Sequence, residues 1–183
     1  MLFPCHSFPN NFIGGLNMTV IIKKIKLKSK DHMPCFHDIT SKVKDIVADS
    51  GIKNGLVTVY SHHTTCSVLL QECSHDVNYF DREFLQVDLI EIMEKLVPTC
   101  RTQGQYYHPG PKHIEFAIGN PGELPKDSLN TDAHLRSSFF GRSENVILED
   151  GKLSLGDFGF LYFIDWDQVR ERERVAEVLI MGE

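Results

Sequence analysis

The spacing of apolar residues along this chain predicts strands in most segments that are not rich in glycine or proline. Apolar and polar residues alternate there, or form short apolar runs bounded by turn residues, as is typical of β-strands. Residues 146–155 are predicted to form a hairpin, because Asp150-Gly151 at the centre is a favoured two-residue turn. The other predicted strands are 20–29, 55–60, 66–72, 113–120, 160–165 and 174–182.

Helical spacing of apolar residues predicts two helices in the N-terminal half. A short helix is predicted to begin after Asp38 or Thr40 and to end before Gly51. A longer helix is predicted from about Asp76 to Leu96. Its apolar side is expected to pack in the core and consists of Leu85, Leu89, Ile92, Met93 and Leu96.

A further short helix is predicted at 133–140, with Thr131 or Asp132 as the N-cap residue and Gly141 after its end. Strands and helices do not alternate regularly along the chain, and the sequence has no internal repeat. This order favours an α+β domain with a mixed or antiparallel β-sheet and two to three helices over a doubly wound α/β domain.

Length and composition predict a single domain at 18–183, preceded by a loose leader at 1–17 with Met18 as an alternative start. The formal charge of −6 argues against nucleic-acid binding, and the cationic run Arg170–Arg174 is interpreted as a solvated surface. No apolar run approaches the roughly 20 residues of a membrane span. Scattered cysteines without a C-x-x-C pair indicate reduced thiols in a cytoplasmic protein: Cys5, Cys35, Cys66, Cys73 and Cys100.

The first polar cluster follows directly after a predicted buried strand. His63 is the main catalytic candidate in this cluster. The hydroxyl groups of Thr64, Thr65 and Ser67 beside it suit an anionic ligand such as phosphate. Because successive side chains of a strand point to opposite faces, His62 and His63 are expected to diverge.

Two further candidates come from the end of a strand and from a long loop. Glu72 ends an otherwise apolar strand and is a catalytic candidate, whereas Asp76 suits the start of the following helix. His108 lies in the Gly- and Pro-rich stretch 101–130, and long loops in compact domains often carry functional residues.

The second polar cluster lies at the start of the predicted helix 133–140. Asp132 and Arg136 are expected to bind substrate, Arg136 by pairing with a phosphate through two hydrogen bonds. His134 lies in the first helical turn, where free backbone N–H groups favour an anion, and it is a catalytic candidate.

Three interpretations of these residues stay open. His63, His108 and His134 are expected to converge, and together they are able to hold a divalent metal such as Zn²⁺ or Mg²⁺ with an open position. The same histidines are equally suited to acid–base and oxyanion roles without a metal. A nucleophilic pair of Cys66 and His63 is the third interpretation, which the apolar surroundings of Cys66 disfavour.

These segments resemble the YjbQ-like family of small proteins. The family's strand followed by His-Thr-Thr corresponds to Gly55–Thr65, and its Asn-Glu element corresponds to Gln71-Glu72. Its Tyr-x-His corresponds to Tyr106–His108, and its Asn-x-x-x-His segment with a later Gly corresponds to Asn130–Gly141. Its closing pattern of a hairpin, Leu-Gly, an aromatic strand and Arg-rich residues corresponds to Glu149–Arg174.

The resemblance, which spans about residues 20–182, implies a sandwich-like fold and a homotrimer with the histidines near a subunit boundary. It also implies a thiamine-phosphate synthase-like activity, which joins a pyrimidine methyl diphosphate to a thiazole phosphate and releases pyrophosphate. Apolar sheet edges expected at 20–27 and 175–182 agree with assembly. Cys66-Ser67 and Phe158-Gly159 replace the family's Ala-Gly and Trp-Gln, which changes the shape beside the site.

Two other functions remain open beside this one, each with a small phosphorylated molecule or a metal as its ligand. The first is a metal-dependent phosphate-ester hydrolase, with His63, His108 and His134 as metal ligands and Glu72 as the base. The second is a non-catalytic trimer that binds a small ligand or a metal. The sequence has no Asp-rich diphosphate motif, so the resemblance alone supports the transfer reaction at this stage.

Overall fold

Two antiparallel sheets face each other in the computed structural model, which describes residues 18–30 and 32–183. The predicted leader at 1–17, with Cys5, lies outside the described residues. The larger sheet contains, in spatial order, β1 (Thr19–Ser29), β8 (Arg172–Gly182), β3 (Gly55–Tyr60), β5 (Ser143–Glu149) and β6 (Lys152–Leu153). The smaller sheet contains β2 (Cys35–Asp38), β7 (Gly159–Asp165) and β4 (Cys66–Glu72).

Helices connect and cover these strands. The described part of the chain contains a 3₁₀ helix at Pro125–Ser128 and the α-helices α1 (Thr40–Ser50), α2 (Phe84–Leu96), α3 (Pro111–Ile118) and α4 (Thr131–Phe140). The predicted α+β class with antiparallel, sandwich-like sheets is confirmed, with more helices than the two to three expected. None of the described helices combines the length and apolar character needed to cross a membrane.

The strand predicted at 113–120 is wrong, because helix α3 occupies this segment. Pro111 stands in the first turn of α3, where its fixed φ suits a helix and its missing N–H needs no partner. The backbone N–H groups of His113 and Ile114 donate to the Gly110 carbonyl at 3.0 and 3.1 Å. The helical start outweighs the alternation of apolar residues in so short a segment.

Helix α2 begins later than predicted and turns a different side to the core. It starts at Phe84 rather than near Asp76. Met93 is only 3% exposed, whereas Ile92 and Leu96 are 52% and 66% exposed, so most of the predicted core face lies at the surface. Leu89 is partly buried against the second hydrophobic cluster. The exposed side of α2 therefore carries apolar side chains beside the charged residues Asp88, Glu91 and Lys95.

Strand β7 lies at the centre of the packing because both of its faces are covered. Leu161 and Phe163 belong to the main core between the two sheets. Tyr162 and Ile164 belong to a second cluster, which α2 and α4 complete on the other side. Trp166, the single tryptophan of the chain, continues this second cluster and is fully buried. The continuous apolar run of this strand reflects burial on both faces.

Strand β8 is not the sheet edge that the sequence predicts at 175–182. It pairs with β1 on one side and with β3 on the other, so its backbone groups are used within the chain. Strand β1 is an edge of the larger sheet in the described structure, and its Val20 and Ile22 side chains are exposed. The edge expected at 20–27 is confirmed.

One end of the sandwich gathers the segments that carry the predicted site. The loop 61–65 crosses at this end from β3 in the larger sheet to β4 in the smaller sheet. Strand β7 ends and β8 begins at the same end, joined by the loop 166–171. The side-chain amide of Asn130, just before α4, donates to Asp167 Oδ2 in this loop at 3.3 Å. The start of α4 is thereby held beside the loop.

Candidate functional site

A cavity of about 400 Å³ opens at this end of the sandwich. Its walls come from the loop 61–65, helix α3, the 3₁₀ helix and the starts of α4 and β8. Segments that are far apart in sequence therefore line one space. The polar side chains that line it include His63, His113, His134, Arg172 and Arg174.

His63 is held as a neutral imidazole with one tautomer. The backbone N–H of Val175 donates to its Nε2 at 3.1 Å, so the ring proton lies on Nδ1. Burial, together with the positive charge of Arg174, lowers the pKa of His63 to about 4. The backbone N–H of His63 donates to the Ser61 hydroxyl at 3.2 Å, which fixes the loop. His63 therefore offers an N–H donor without a charge at neutral pH.

The prediction that His62 and His63 diverge is wrong. Both residues lie in a loop and not in a strand, so the alternation of side chains does not apply. Their ring centroids are 4.1 Å apart, and both side chains line the cavity.

His108, His113 and His134 form a second group of imidazoles beside the cavity. The ring centroid of His108 lies 4.4 Å from that of His113 and 5.7 Å from that of His134. Burial and then the two neighbouring histidines lower the pKa of His108. Burial also lowers the pKa of His134, although a hydrogen bond to the Thr64 backbone raises it. The Thr131 hydroxyl donates to the His108 carbonyl, which ties the loop to α4.

The predicted convergence of His63, His108 and His134 is confirmed, since His63 and His134 line one cavity and His108 packs against His134. Their catalytic roles stay predictions. Sequence reasoning gave no role to His113, which lines the cavity from α3. The mistaken strand hid it, and Pro111 two residues earlier is the signal that reveals the helical start.

Arg174 lines the cavity, and carboxylate and hydroxyl side chains accept hydrogen bonds from its Nε and Nη2. Its Nε donates to Asp165 Oδ2 at 2.6 Å, and its Nη2 donates to Asp165 Oδ1 at 3.1 Å. Nη2 also donates to Thr65 Oγ1 at 3.2 Å and lies 3.5 Å from Asp167 Oδ2. Arg174 therefore connects the start of β8 to the end of β7 and to the loop 61–65.

Arg172 differs from Arg174 because its side chain makes no hydrogen bond with the described residues. Its Nε lies 3.3 Å from Asp167 Oδ2 without the geometry of a hydrogen bond. The side chain remains partly exposed in the cavity. Arg172 is consequently the cation that is best placed to bind an anionic ligand here.

The interpretation of Arg170–Arg174 as a solvated surface is wrong. Arg172 and Arg174 share one face of strand β8 and line the cavity, while Glu171 and Glu173 are exposed. Arg170 pairs with Glu123 and Asp127 across the site. The signal was present in the sequence, because alternating charges in a strand place the arginines on one face and the glutamates on the other.

Arg136 does not reach the cavity, so the prediction that it binds phosphate is wrong. The residue is 0% exposed and its guanidinium contacts the C-terminal part of α2. Its Nη2 donates to Glu94 Oε2 at 2.6 Å and to the Val97 carbonyl at 2.7 Å. Its Nε donates to the same carbonyl at 3.1 Å. Arg136 holds α2 and α4 together.

Asp132 lies on the same face of α4 as Arg136, turned away from His134. Its Oδ1 accepts a hydrogen bond from the Cys100 backbone N–H at 3.1 Å, and burial raises its pKa. It lines a separate cavity of about 530 Å³ rather than the histidine-lined one. The structure thus places Asp132 outside the site for which the sequence predicted it.

The predicted hydroxyl groups divide between the cavity and the core. Thr64 is exposed and lines the cavity, and Thr65 lines it while accepting from Arg174. Ser67 is fully buried, and its hydroxyl accepts a hydrogen bond from Trp166 Nε1 at 3.0 Å. Ser67 is therefore too deep to bind substrate, and this part of the prediction is wrong.

Glu72 and Cys66 lie at opposite ends of strand β4. Glu72 is exposed at the end that is remote from the cavity, opposite Gly159, so the structure does not bring it to the histidines. Cys66 is buried, its thiol lies 3.4 Å from Asp165 Oδ1, and burial raises its pKa. The interpretation of Cys66 as an inert thiol agrees with this environment.

One of the three predicted metal ligands has its acceptor nitrogen engaged within the chain. His63 uses its Nε2 lone pair to accept the Val175 N–H. Across residues 18–30 and 32–183, no group of three or more His, Cys, Asp or Glu side chains is arranged to hold a metal ion. Binding of Zn²⁺ or Mg²⁺ by His63, His108 and His134 stays a prediction.

Comparison with known proteins adds a family context to this site. The family described as UPF0047 protein YjbQ-like matches residues 23–183. A UPF0047 protein of Archaeoglobus fulgidus is 34% identical over 142 residues, which cover 78% of this chain and 89% of that protein. The UPF0047 protein YugU of Bacillus subtilis is 29% identical over 160 residues, which cover 87% of this chain and 96% of that protein.

Solved structures have the same fold. A YbjQ-like protein of unknown function from Sulfolobus solfataricus superposes with a TM-score of 0.68 at 25% identity, covering 91% of this chain and 100% of that one. An uncharacterized protein of the YjbQ/UPF0047 family from Clostridium acetobutylicum gives a TM-score of 0.61 at 29% identity, covering 85% and 98%.

Proposed function

Because this chain belongs to the UPF0047 protein YjbQ-like family, we propose that its histidine-lined cavity has a thiamine-phosphate synthase-like activity. In this reaction a pyrimidine methyl diphosphate and a thiazole phosphate combine. The bond between the methylene carbon and the diphosphate oxygen breaks, and its electron pair leaves with pyrophosphate. The thiazole nitrogen supplies the electron pair of the new C–N bond.

The observation that carries this proposal is that the guanidinium of Arg172, which makes no hydrogen bond with the described residues, lines the same cavity as the neutral imidazole of His63. A leaving diphosphate gains negative charge, and a fixed cation stabilises that charge without reorganisation. The planar guanidinium matches two phosphate oxygens at once. The cavity volume of about 400 Å³ falls in the range of small-molecule sites.

The two imidazoles of the cavity have complementary roles in the proposal. His63 carries its proton on Nδ1 and donates it in a hydrogen bond to a diphosphate oxygen. His134 lines the same cavity, and a neutral imidazole offers one ring nitrogen as an acceptor. That acceptor suits an amino group on the pyrimidine ring. Both rings remain uncharged at neutral pH because burial lowers their pKa values.

Arg172, and not a metal held by the protein, stabilises the leaving group in this proposal. The carboxylates that line the cavity are engaged: Asp167 faces Arg172, and Glu123 and Asp127 pair with Arg170. These pairs leave the carboxylates little freedom to converge on a Mg²⁺ ion.

The proposal includes the homotrimer that the resemblance implies. Exposed large apolar side chains on α2 support it, because such residues are common in protein interfaces. The side chains concerned are Phe84, Leu85, Ile92 and Leu96.

The test is direct synthesis of thiamine phosphate from the two substrates, with and without added Mg²⁺, followed by chromatography. Arg172→Ala should lower the turnover rate about 100-fold or more, since it removes the cation at the leaving group. Lys26→Ala removes an exposed charge on β1 outside the cavity, and its rate should equal that of the parent.

A parent protein that forms no thiamine phosphate under either condition would refute the proposal. Release of inorganic phosphate from either substrate alone would favour the phosphate-ester hydrolase instead. An Arg172→Ala variant as active as the parent would remove Arg172 from the mechanism.

A further inference from the structure

A second cavity of about 400 Å³ adjoins the histidine-lined one. Thr64 and His134 line both cavities, so these two residues form the boundary between them. The second cavity is completed by the end of α4 and the residues that follow it: Ser137, Ser138, Gly141 and Arg142.

The chain turn after α4 brings Arg142 to this second cavity. Gly141 ends the helix with φ 79°, a left-handed conformation that favours glycine. The backbone carbonyl of Arg142 accepts a hydrogen bond from the Ser61 N–H at 2.8 Å, which anchors the turn to the loop that carries the histidines. The position of Arg142 is therefore set by backbone contacts, and its side chain remains available.

The charge of the second cavity is positive. The exposed guanidinium of Arg142 makes no hydrogen bond or ion pair with any described residue. The Ser137 hydroxyl donates to the Cys66 carbonyl and the Ser138 hydroxyl donates to the His134 carbonyl, so these two protons are used within the chain. No Asp or Glu of the described chain lines this cavity, in contrast to the first one. The guanidinium of Arg142 therefore supplies the N–H donors for a ligand, and these donors match the oxygens of one phosphate group.

We infer that the second cavity is the binding site of the second, singly phosphorylated substrate, with its phosphate on Arg142 and its ring at Thr64 and His134. This inference rests on the proposed function, because a transfer reaction requires two bound substrates whose reacting atoms meet. The diphosphate on Arg172 then lies in the first cavity, and the reacting atoms of the two ligands meet where the two cavities adjoin, beside Thr64 and His134. Arg142 binds the singly phosphorylated substrate, and Arg172 binds the diphosphate.

Calorimetric binding of two probes, thiazole phosphate and inorganic pyrophosphate, tests this arrangement. The parent protein should bind both at once, one of each per chain. Arg142→Ala should weaken thiazole phosphate binding about tenfold or more and leave pyrophosphate binding within about twofold. Arg172→Ala should show the reverse pattern, and Lys26→Ala should change neither.

Competition of the two probes for one site would overturn the inference, as would unchanged thiazole phosphate binding by Arg142→Ala. In both cases the parent still binds phosphorylated ligands, so the proposed function survives. A parent protein that binds neither probe would overturn the inference together with the proposed function. In steady-state kinetics, Arg142→Ala should raise the KM for thiazole phosphate without raising that for the diphosphate.

Discussion

Helix α4 carries Arg136 and His134 on different faces, and the two side chains have opposite surroundings. Arg136 is fully buried and donates to Glu94 and the Val97 carbonyl of α2. His134 comes two residues earlier, about 200° around the helix, and lines both cavities. One face of α4 therefore stabilises the fold, and the other face forms the site.

Strand β8 repeats this contrast with residues of one type. Nε and Nη2 of Arg174 donate to Asp165 and Thr65, whereas Arg172, two residues earlier on the same face, makes no side-chain hydrogen bond with the described residues. Charge and residue type do not separate structural from functional side chains in this protein. The presence or absence of hydrogen-bond partners within the chain separates them.

The largest effect is expected at Arg136. Arg136→Ala should lower the free energy of unfolding by about 2–3 kcal/mol, because it leaves the buried Val97 carbonyl without a donor and removes the ion-pair partner of Glu94. Denaturant unfolding measures this change. Arg142→Ala, at an exposed position, should stay within about 0.5 kcal/mol of the parent. Equal stability of the two variants would show that the buried arginine contributes nothing special.

The opposite result is expected at His134. His134→Ala should weaken binding of thiazole phosphate about tenfold or more, because the ring of this ligand is placed at Thr64 and His134. Its melting temperature should stay close to that of the parent. The matched control is Met93→Ala in the buried side of α2, which should cost about 2–5 kcal/mol.

Two outcomes would break the contrast between the faces of α4. If His134→Ala melts as early as Met93→Ala, then His134 is a packing residue like Arg136. If it melts and binds both probes like the parent, then His134 lies outside the site.

Helix α2 contacts Arg136 on its inner side, and its exposed outer side is the proposed subunit interface of the trimer. Light scattering should give a mass about three times the 20.9 kDa of one chain. Ile92→Glu, on the exposed outer side, should reduce that mass towards one chain by placing charges in an apolar interface. A monomeric parent protein at micromolar concentration would refute the trimer.

The smallest effect is expected from the titration of His63. The pKa of this residue is lowered from 6.5 to about 4 in the folded protein, so the unfolded chain takes up the proton first. The stability that neutral His63 contributes is complete above about pH 6.5 and is lost as the pH falls towards about 4. His63→Gln keeps an acceptor for Val175 and does not titrate. Its melting temperature should therefore fall less than that of the parent between about pH 7 and 4.5.

Parallel declines in the two melting temperatures would show that the Val175 hydrogen bond does not hold His63 neutral. A smaller fall in the melting temperature of His63→Gln would show that the fold holds His63 neutral through its hydrogen bond to Val175, although His63 also lines the cavity.

The sequence predicted most strands correctly, because strands depend on local patterns. Short apolar or alternating runs mark β3, β4, β7 and β8, and His63 and His134 line one cavity although Glu72 lies at the other end of its strand. The segment of α3 was mistaken for a strand, since eight residues give alternation and helical period similar weight. Tertiary packing, which no local pattern contains, decides which face of α2 is buried.

The direction in which each side chain points decides whether it belongs to the site. The sequence gives this direction only when the helix or strand that carries the residue is known. Arg136 looked like a phosphate ligand because it follows His134 closely, yet the helical turn points it the other way. Arg172 looked like a surface charge until its strand placed it on the inner face. Both errors follow from reading spacing in sequence as proximity in space.

Trp166 gives the protein a built-in optical reporter. Its ring stacks on Phe140, the last residue of α4, with centroids 5.4 Å apart and planes 16° apart. Its Nε1 donates to the buried Ser67 hydroxyl. Because Trp166 is the single tryptophan of the chain, all indole fluorescence comes from the place where α4, the helix that carries His134, packs on the smaller sheet. A shift of α4 during ligand exchange becomes visible as a change in emission, without any attached dye.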